Sequence, residues 1–166
     1  MPRILFLTAV LSITLFSCTT KAFVQKPAEL KGKKIGIGPI KIEATKKGGK
    51  LATKDTICLC IGQSAGEAFQ PYLQEAGFRV VNLYLKEIMD VNQAYLAADS
   101  LQVDYILFGS GTADIQGKYT YMDQLTVKLV NVKTREVVVS GSFTGSATSP
   151  IKAAGKIGKK ILQQMK

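Results

Sequence analysis

Three cysteines and no histidine bound the chemistry open to this 166-residue chain. Without imidazole there is no Ser–His or Cys–His dyad, and the commonest general base is missing. Cys58 and Cys60 are separated by one residue, a spacing that does not easily close a relaxed disulfide. With Cys18 the only other thiol and no histidine to complete a ligand set, a zinc site fails as well. Both therefore read as small apolar residues, buried and reduced. Gly36-Ile37-Gly38 begins like a dinucleotide loop, but Lys41 stands where the third glycine belongs and Pro39 would break the helix that should follow. Gly48-Gly49-Lys50 is not a phosphate loop, because Leu51 replaces Ser or Thr and no glycine precedes it at the right distance. Asp99 with Asp104, or Asp114 with Asp123, could pair as carboxylates, yet 12 acids scattered along such a chain always offer some pair. No catalytic residue, metal ligand or cofactor-binding residue follows from these patterns, and the chain reads as a binding module, not an enzyme.

The remaining chemistry is at Cys18. Arg3 is the only charge before a continuous apolar run from Ile4 to Phe16. About thirteen apolar residues make a signal-peptide core and are too few to span a bilayer comfortably. The run ends in Leu15-Phe16-Ser17-Cys18, which resembles the lipobox of bacterial lipoproteins. That resemblance implies cleavage before Cys18, a diacylglycerol thioether on its sulfur and acylation of its amine. At ~0.8 kcal/mol per buried CH2, two or more chains anchor stably. The alternative is an ordinary cleaved signal, ending for example after Ala22. The expected organisation is a signal peptide over residues 1–17, a lipidated cysteine and short tether over 18–31, and one α/β domain over 32–166.

The formal net charge is +10. A basic surface of that size favours anionic partners, and export argues against nucleic acid. Anionic headgroups, wall carboxylates or an acidic protein face are the candidates; the charge could equally serve solubility. A Lys/Gly-rich loop carries Lys46, Lys47, Lys50 and Lys54. Flexible lysines lack bidentate geometry, so such a loop would steer an acidic partner through long-range attraction. The same residues could be only a solvated loop.

Elements that could position these groups follow from periodicity. Thr19 to Leu30 is polar and aperiodic, a tether of about 40 Å at ~3.3–3.6 Å per residue. Lys34 to Ile42 alternates as a strand, broken at Gly38-Pro39. Asp55 can cap a helix carrying Ile57, Ile61, Ala65, Ala68, Tyr72 and Leu73, ending near Gly77. Phe78 to Leu83 is a strand, Leu85 to Leu101 one broken or two short helices, and Asp104 to Gly109 a central strand. Tyr119 to Val132 and Val137 to Thr144 alternate cleanly around a Lys133-Thr134-Arg135-Glu136 turn. Ser149-Pro150 starts a helix with a stripe of Ile151, Ala154, Ile157, Ile161, Leu162 and Met165, expected to lie on the sheet. The fold class is mixed α/β: a single mixed sheet, βαβαβ followed by an antiparallel β-hairpin and a C-terminal helix.

Val103-Asp104-Tyr105-Ile106-Leu107-Phe108-Gly109-Ser110 resembles a strand of the CsgG/LpoB-like envelope lipoproteins, whose fold is akin to the TolB amino-terminal domain. Leu125 to Val138 resembles that group's hairpin, with Asn131 where Asp is common and Arg135 where Gly is common. Arginine there is strained if φ is positive. The resemblance implies an outer-membrane-anchored periplasmic interaction module serving envelope assembly, with an envelope protein as partner and possible self-association. The alternatives it implies are an activator of a peptidoglycan synthase (a penicillin-binding protein) and a secretion-pore subunit. A pore hairpin needs two added strands of roughly 9–11 residues each, and no spare pair is evident. A short tether would hold the domain near its membrane, so an activator would need a partner that reaches up to it.

Overall fold

The computed structural model describes residues 18–46, 49–51, 55–83 and 90–166. The signal-peptide reading of residues 1–17 lies outside them, as do Lys47, Lys54 and the first part (84–89) of the helical stretch expected from Leu85 to Leu101, whose second part is helix Val91–Ser100. Within them the chain runs β1 (Thr19–Val24), α1 (Pro27–Leu30), β2 (Lys34–Lys46), β3 (Gly49–Leu51), α2 (Thr56–Glu67), α3 (Gln70–Glu75), β4 (Arg79–Asn82), α4 (Val91–Ser100), β5 (Tyr105–Gln116), β6 (Tyr119–Asn131), β7 (Val137–Thr144) and α5 (Pro150–Met165).

The strands form one mixed seven-stranded sheet in the order β1-β7-β6-β5-β2-β3, with β4 also paired to β2. β2 pairs in parallel with β4 and β5, and the remaining pairs are antiparallel. The parallel pairs need helical crossovers, supplied by α2–α3 and by α4. The expected βαβαβ order, hairpin and closing helix are all present.

Local chemistry accounts for the element ends. The Asp55 carboxylate accepts from the Ile57 backbone N–H at 2.9 Å and starts α2. Asp90 and Gln93 close a reciprocal capping box on α4, both bonds at 2.8 Å. Ser149 caps α5, with proline in its first turn. The Gly38-Pro39 break is a register shift between Ile37 and Ile40, through which β2 continues. Arg135 has φ 64° in the β6–β7 turn, where the resemblance implied glycine.

The main core lies between the sheet and α2, α3 and α5, around Phe69, Leu73, Leu125, Phe143 and Ile157. Glycine sets two close approaches. A Cβ on Gly62 would run into the Ile40 carbonyl oxygen, so α2 sits directly against β2, and a Cβ on Gly141 would run into Ile157 of α5. On the opposite face, among the described residues, α4 alone packs, over Leu83, Val103 and Ile106. α5 lies on the sheet as expected, although Ile151 at the head of its stripe is 59% exposed.

The tether reading of Thr19 to Leu30 is corrected. Six residues of it form edge strand β1, paired with β7 from Thr19 opposite Thr144 to Val24 opposite Val139. Their side chains alternate exposed and half-buried, and Ala22 and Val24 pack on the core. Leu30 is buried in that core as well. The alternation was hidden in the sequence because polar Thr20 is among the inward residues and aromatic Phe23 among the outward ones.

Candidate functional site

Cys18 is exposed and lies immediately before β1. Its thiol faces the Ser146 carbonyl oxygen at 3.9 Å. Cys18 is therefore joined to the sheet without a flexible spacer. β1 enters the sheet at the level of Thr144, which pairs with Gln124 of β6. From Gln124, β6 runs back five more positions to Tyr119, roughly 15 Å at ~3.3 Å per residue. The β5–β6 turn thus projects past Cys18, in the direction from which the chain enters β1. The paired ends of β2 and β3 and the first turns of α2 and α5 lie at the same end, since Lys46 pairs with Gly49 and Ile115 and Met122 donates to the Thr148 carbonyl.

The predicted basic loop is described in part. Lys46 ends β2 and Lys50 lies in β3, so these two belong to a small hairpin rather than a loose loop. Both are exposed. Lys47 and Lys54 are outside the described residues.

The cysteines separate. Cys58 is buried against the sheet, while Cys60 is exposed, which corrects the expectation that both are buried. Two residues on a helix subtend about 200°, so i and i+2 cannot share a face. Burial pushes the Cys58 thiol up, opposed in part by a hydrogen bond to the Ala44 backbone and reinforced by the Asp55 charge.

Of the suggested carboxylate pairs, only Asp114 with Asp123 shows an electrostatic effect among the described residues: burial first, and then the Asp114 charge, raises Asp123 from its ordinary value. Asp104 has a structural task instead: its carboxylate accepts from the Lys34 backbone N–H at 2.8 Å and locks β2 to β5. Among the described residues no three metal-capable side chains gather, and no helix is long and apolar enough to cross a membrane.

Two surfaces escaped the sequence reading. One is the sheet face beyond α4, where Lys21, Ser142, Thr126, Ser110 and Lys41 form a row across five strands. Alternation of Ser and Thr with apolar residues in β7 was its signal. The other is a cleft of about 790 Å3 at the end away from Cys18, lined by Asn92, Tyr95, Leu96, Asp99, Val132, Lys133 and Arg135. The Arg135 guanidinium lies 3.3 Å from the centroid of the Tyr95 ring, and Tyr95 in turn tilts against Phe108. This stack joins the strained β6–β7 turn to α4.

No protein-family model matches the sequence, and no curated protein does. Solved structures do. The PelC dodecamer from Paraburkholderia phytofirmans aligns with TM-score 0.53 and 20% identity over 90% of this chain and 97% of that one. A point-variant PelC dodecamer from the same organism gives 0.54 and 20%, over 88% and 96%. The LpoB C-terminal domain from Salmonella enterica gives 0.48 and 17%, over 71% and 84%. At such identities the PelC structures establish a shared fold and leave activity to be argued from the surface.

Proposed function

We propose that the chain is a periplasmic lipoprotein, held at the outer membrane by lipid on Cys18, that acts as a non-enzymatic interaction module in envelope assembly. The observation that carries this reading is the position of Cys18. It follows an apolar leader in sequence, and in the fold it is exposed directly before a paired strand. Lipid on its sulfur would fix the orientation of the whole sheet. The partner, another envelope protein, would then approach the open sheet face or the Tyr95–Arg135 cleft. A peptidoglycan-synthase activator remains the alternative, and β1 makes it more demanding, since no slack lets the domain reach toward a distant partner.

The decisive variant is Cys18→Ala, followed by membrane fractionation and metabolic labelling with palmitate. Wild type should take label and sediment with membranes; the variant should be soluble or retain its leader. An unlabelled wild type, or a mature variant that stays on membranes, rejects the anchor. In-cell cross-linking then identifies the partner.

Self-association is a second reading, favoured by one observation: the PelC chains sharing this fold are dodecamers. Sedimentation of detergent-solubilised protein tests it, with a single monomeric species as the outcome against it.

A further inference from the structure

The end of the molecule beyond Cys18 combines features that the anchor alone does not use. Ile57 starts α2 and Ile151 starts α5; they are 40% and 59% exposed and line one shallow apolar hollow with Pro150 and Thr120. On the other face of β6 from Thr120, Tyr119 is 57% exposed at the β5–β6 turn, stacked on Tyr121 and approached by the Lys118 ammonium at 5.4 Å. Lys46, Lys50 and Lys152 surround this tip, and all are exposed. Asp55, whose carboxylate is engaged in capping α2, shares this end with Asp114, which pairs with Tyr121, and with Asp123, so the lysines outnumber the acids without being alone. Both α2 and α5 begin here, so the positive ends of their dipoles face the same way, that of α2 offset by the Asp55 carboxylate at its N-cap.

We propose that this tip is a membrane-contact surface that seats on anionic lipid headgroups, with Ile57, Tyr119 and Ile151 in the interface and the lysines around them. The proposal rests on the reading of Cys18 as the lipid anchor. Geometry then leaves the tip little choice. The headgroup layer is only about 5–8 Å deep on each side of a bilayer, while the tip projects roughly 13 Å past the level of Cys18, which lies one residue nearer to it than Thr19. With β1 paired and no spacer, lipid on Cys18 draws the tip against the bilayer. What meets it there is suited to the place. Tyrosine has an apolar body and a polar end, isoleucine partitions inward, and lysine stems lie along the surface with their charges on phosphates. Net charge supplies the complementarity.

The chain contains no tryptophan, so Tyr119→Trp installs a single fluorophore at the tip. Leu96→Trp does the same on α4, at an exposed site remote from it. Each lipidated protein is reconstituted into vesicles of phosphatidylcholine alone or mixed with phosphatidylglycerol, carrying bromines high on the acyl chains. Lipidation of Cys18 is read in parallel by mass spectrometry. The expected result is a blue shift and several-fold stronger quenching for Tyr119→Trp than for Leu96→Trp, stronger still with phosphatidylglycerol. Adding Ile57→Asp and Ile151→Asp should abolish the quenching while the protein stays on the vesicles. Adding Lys46→Gln, Lys50→Gln and Lys118→Gln should remove the phosphatidylglycerol increment. Lipidated, vesicle-bound protein with an unquenched fluorophore at the tip overturns the contact and leaves the anchor standing. Protein without lipid on Cys18 that also fails to bind vesicles overturns both. A tip shielded in cells but unquenched on vesicles belongs to a protein partner, and that outcome also rejects the proposal.

Discussion

Toward α2, α3 and α5 the strands present Ile35, Ile42, Leu107, Leu125, Val127 and Phe143, all buried. From the other face the same strands show Lys41, Ser110, Thr112, Thr126 and Lys128 to solvent, and among the described residues α4 alone covers part of it. One residue of register separates the two sets. The covered face accounts for stability; hydrophobic burial there is the dominant favourable term of folding. The open face is spared that work, and its composition is free to answer to a partner. The comparison teaches where a binding function would be sought: on surfaces that the core does not need.

The contrast can be broken most severely from inside. Phe69 is fully buried between α2 and α3, and Phe69→Ala should cost about 3–5 kcal/mol in chemical denaturation. A loss under about 1 kcal/mol would mean that the covered face is not the seat of stability. A middle-sized effect is chemical. A bulky maleimide should modify Cys60 rapidly in the native protein and Cys58 only after unfolding. Equal rates would show that α2 does not hold its inner face on the sheet. The pH dependence has a definite sign. Burial raises Cys58 in the folded state, so the fold retains a proton that the unfolded chain releases first. Its contribution is full below the ordinary thiol range and is lost as pH rises through the folded value. Cys58→Ala should flatten that alkaline decline. The smallest effect sharpens the comparison from outside. Thr126→Ala with Ser142→Ala, on the open face, should change stability by no more than about 0.5 kcal/mol. If the open face receives the partner, the same pair should lower cross-linking yield in cells without changing protein abundance.

How much of this was legible in the sequence depended on which signal each element carried. β5 and β6 announced themselves by apolar alternation, and α5 by Ser149-Pro150 and its stripe. At Arg135 the missing glycine left the turn type open; the residue adopts a positive φ all the same, and its side chain stacks on Tyr95. β1 was missed because polar Thr20 lies among its inward residues and aromatic Phe23 among its outward ones, and edge strands need not look apolar. The partition of Cys58 and Cys60 was missed because their setting was judged apolar as a block, without asking which helical face each occupied. The tip could not be assembled from sequence at all: Ile57, Tyr119 and Ile151 are far apart in the chain, and only the sheet register and two helix starts bring them to one end.

The pairing of β1 also has a mechanical consequence. If Cys18 carries the lipid and a partner holds the Tyr95–Arg135 cleft, any tension between membrane and partner enters the domain along the axis of β1. A strand pulled along its own axis resists in shear, its ladder to β7 strained all at once over six residue pairs. Pulled from its side, it would peel one bond at a time. The domain is thus built to transmit force before it gives way, and its lifetime under a steady pull would be set by the rate of that shearing step rather than by equilibrium stability.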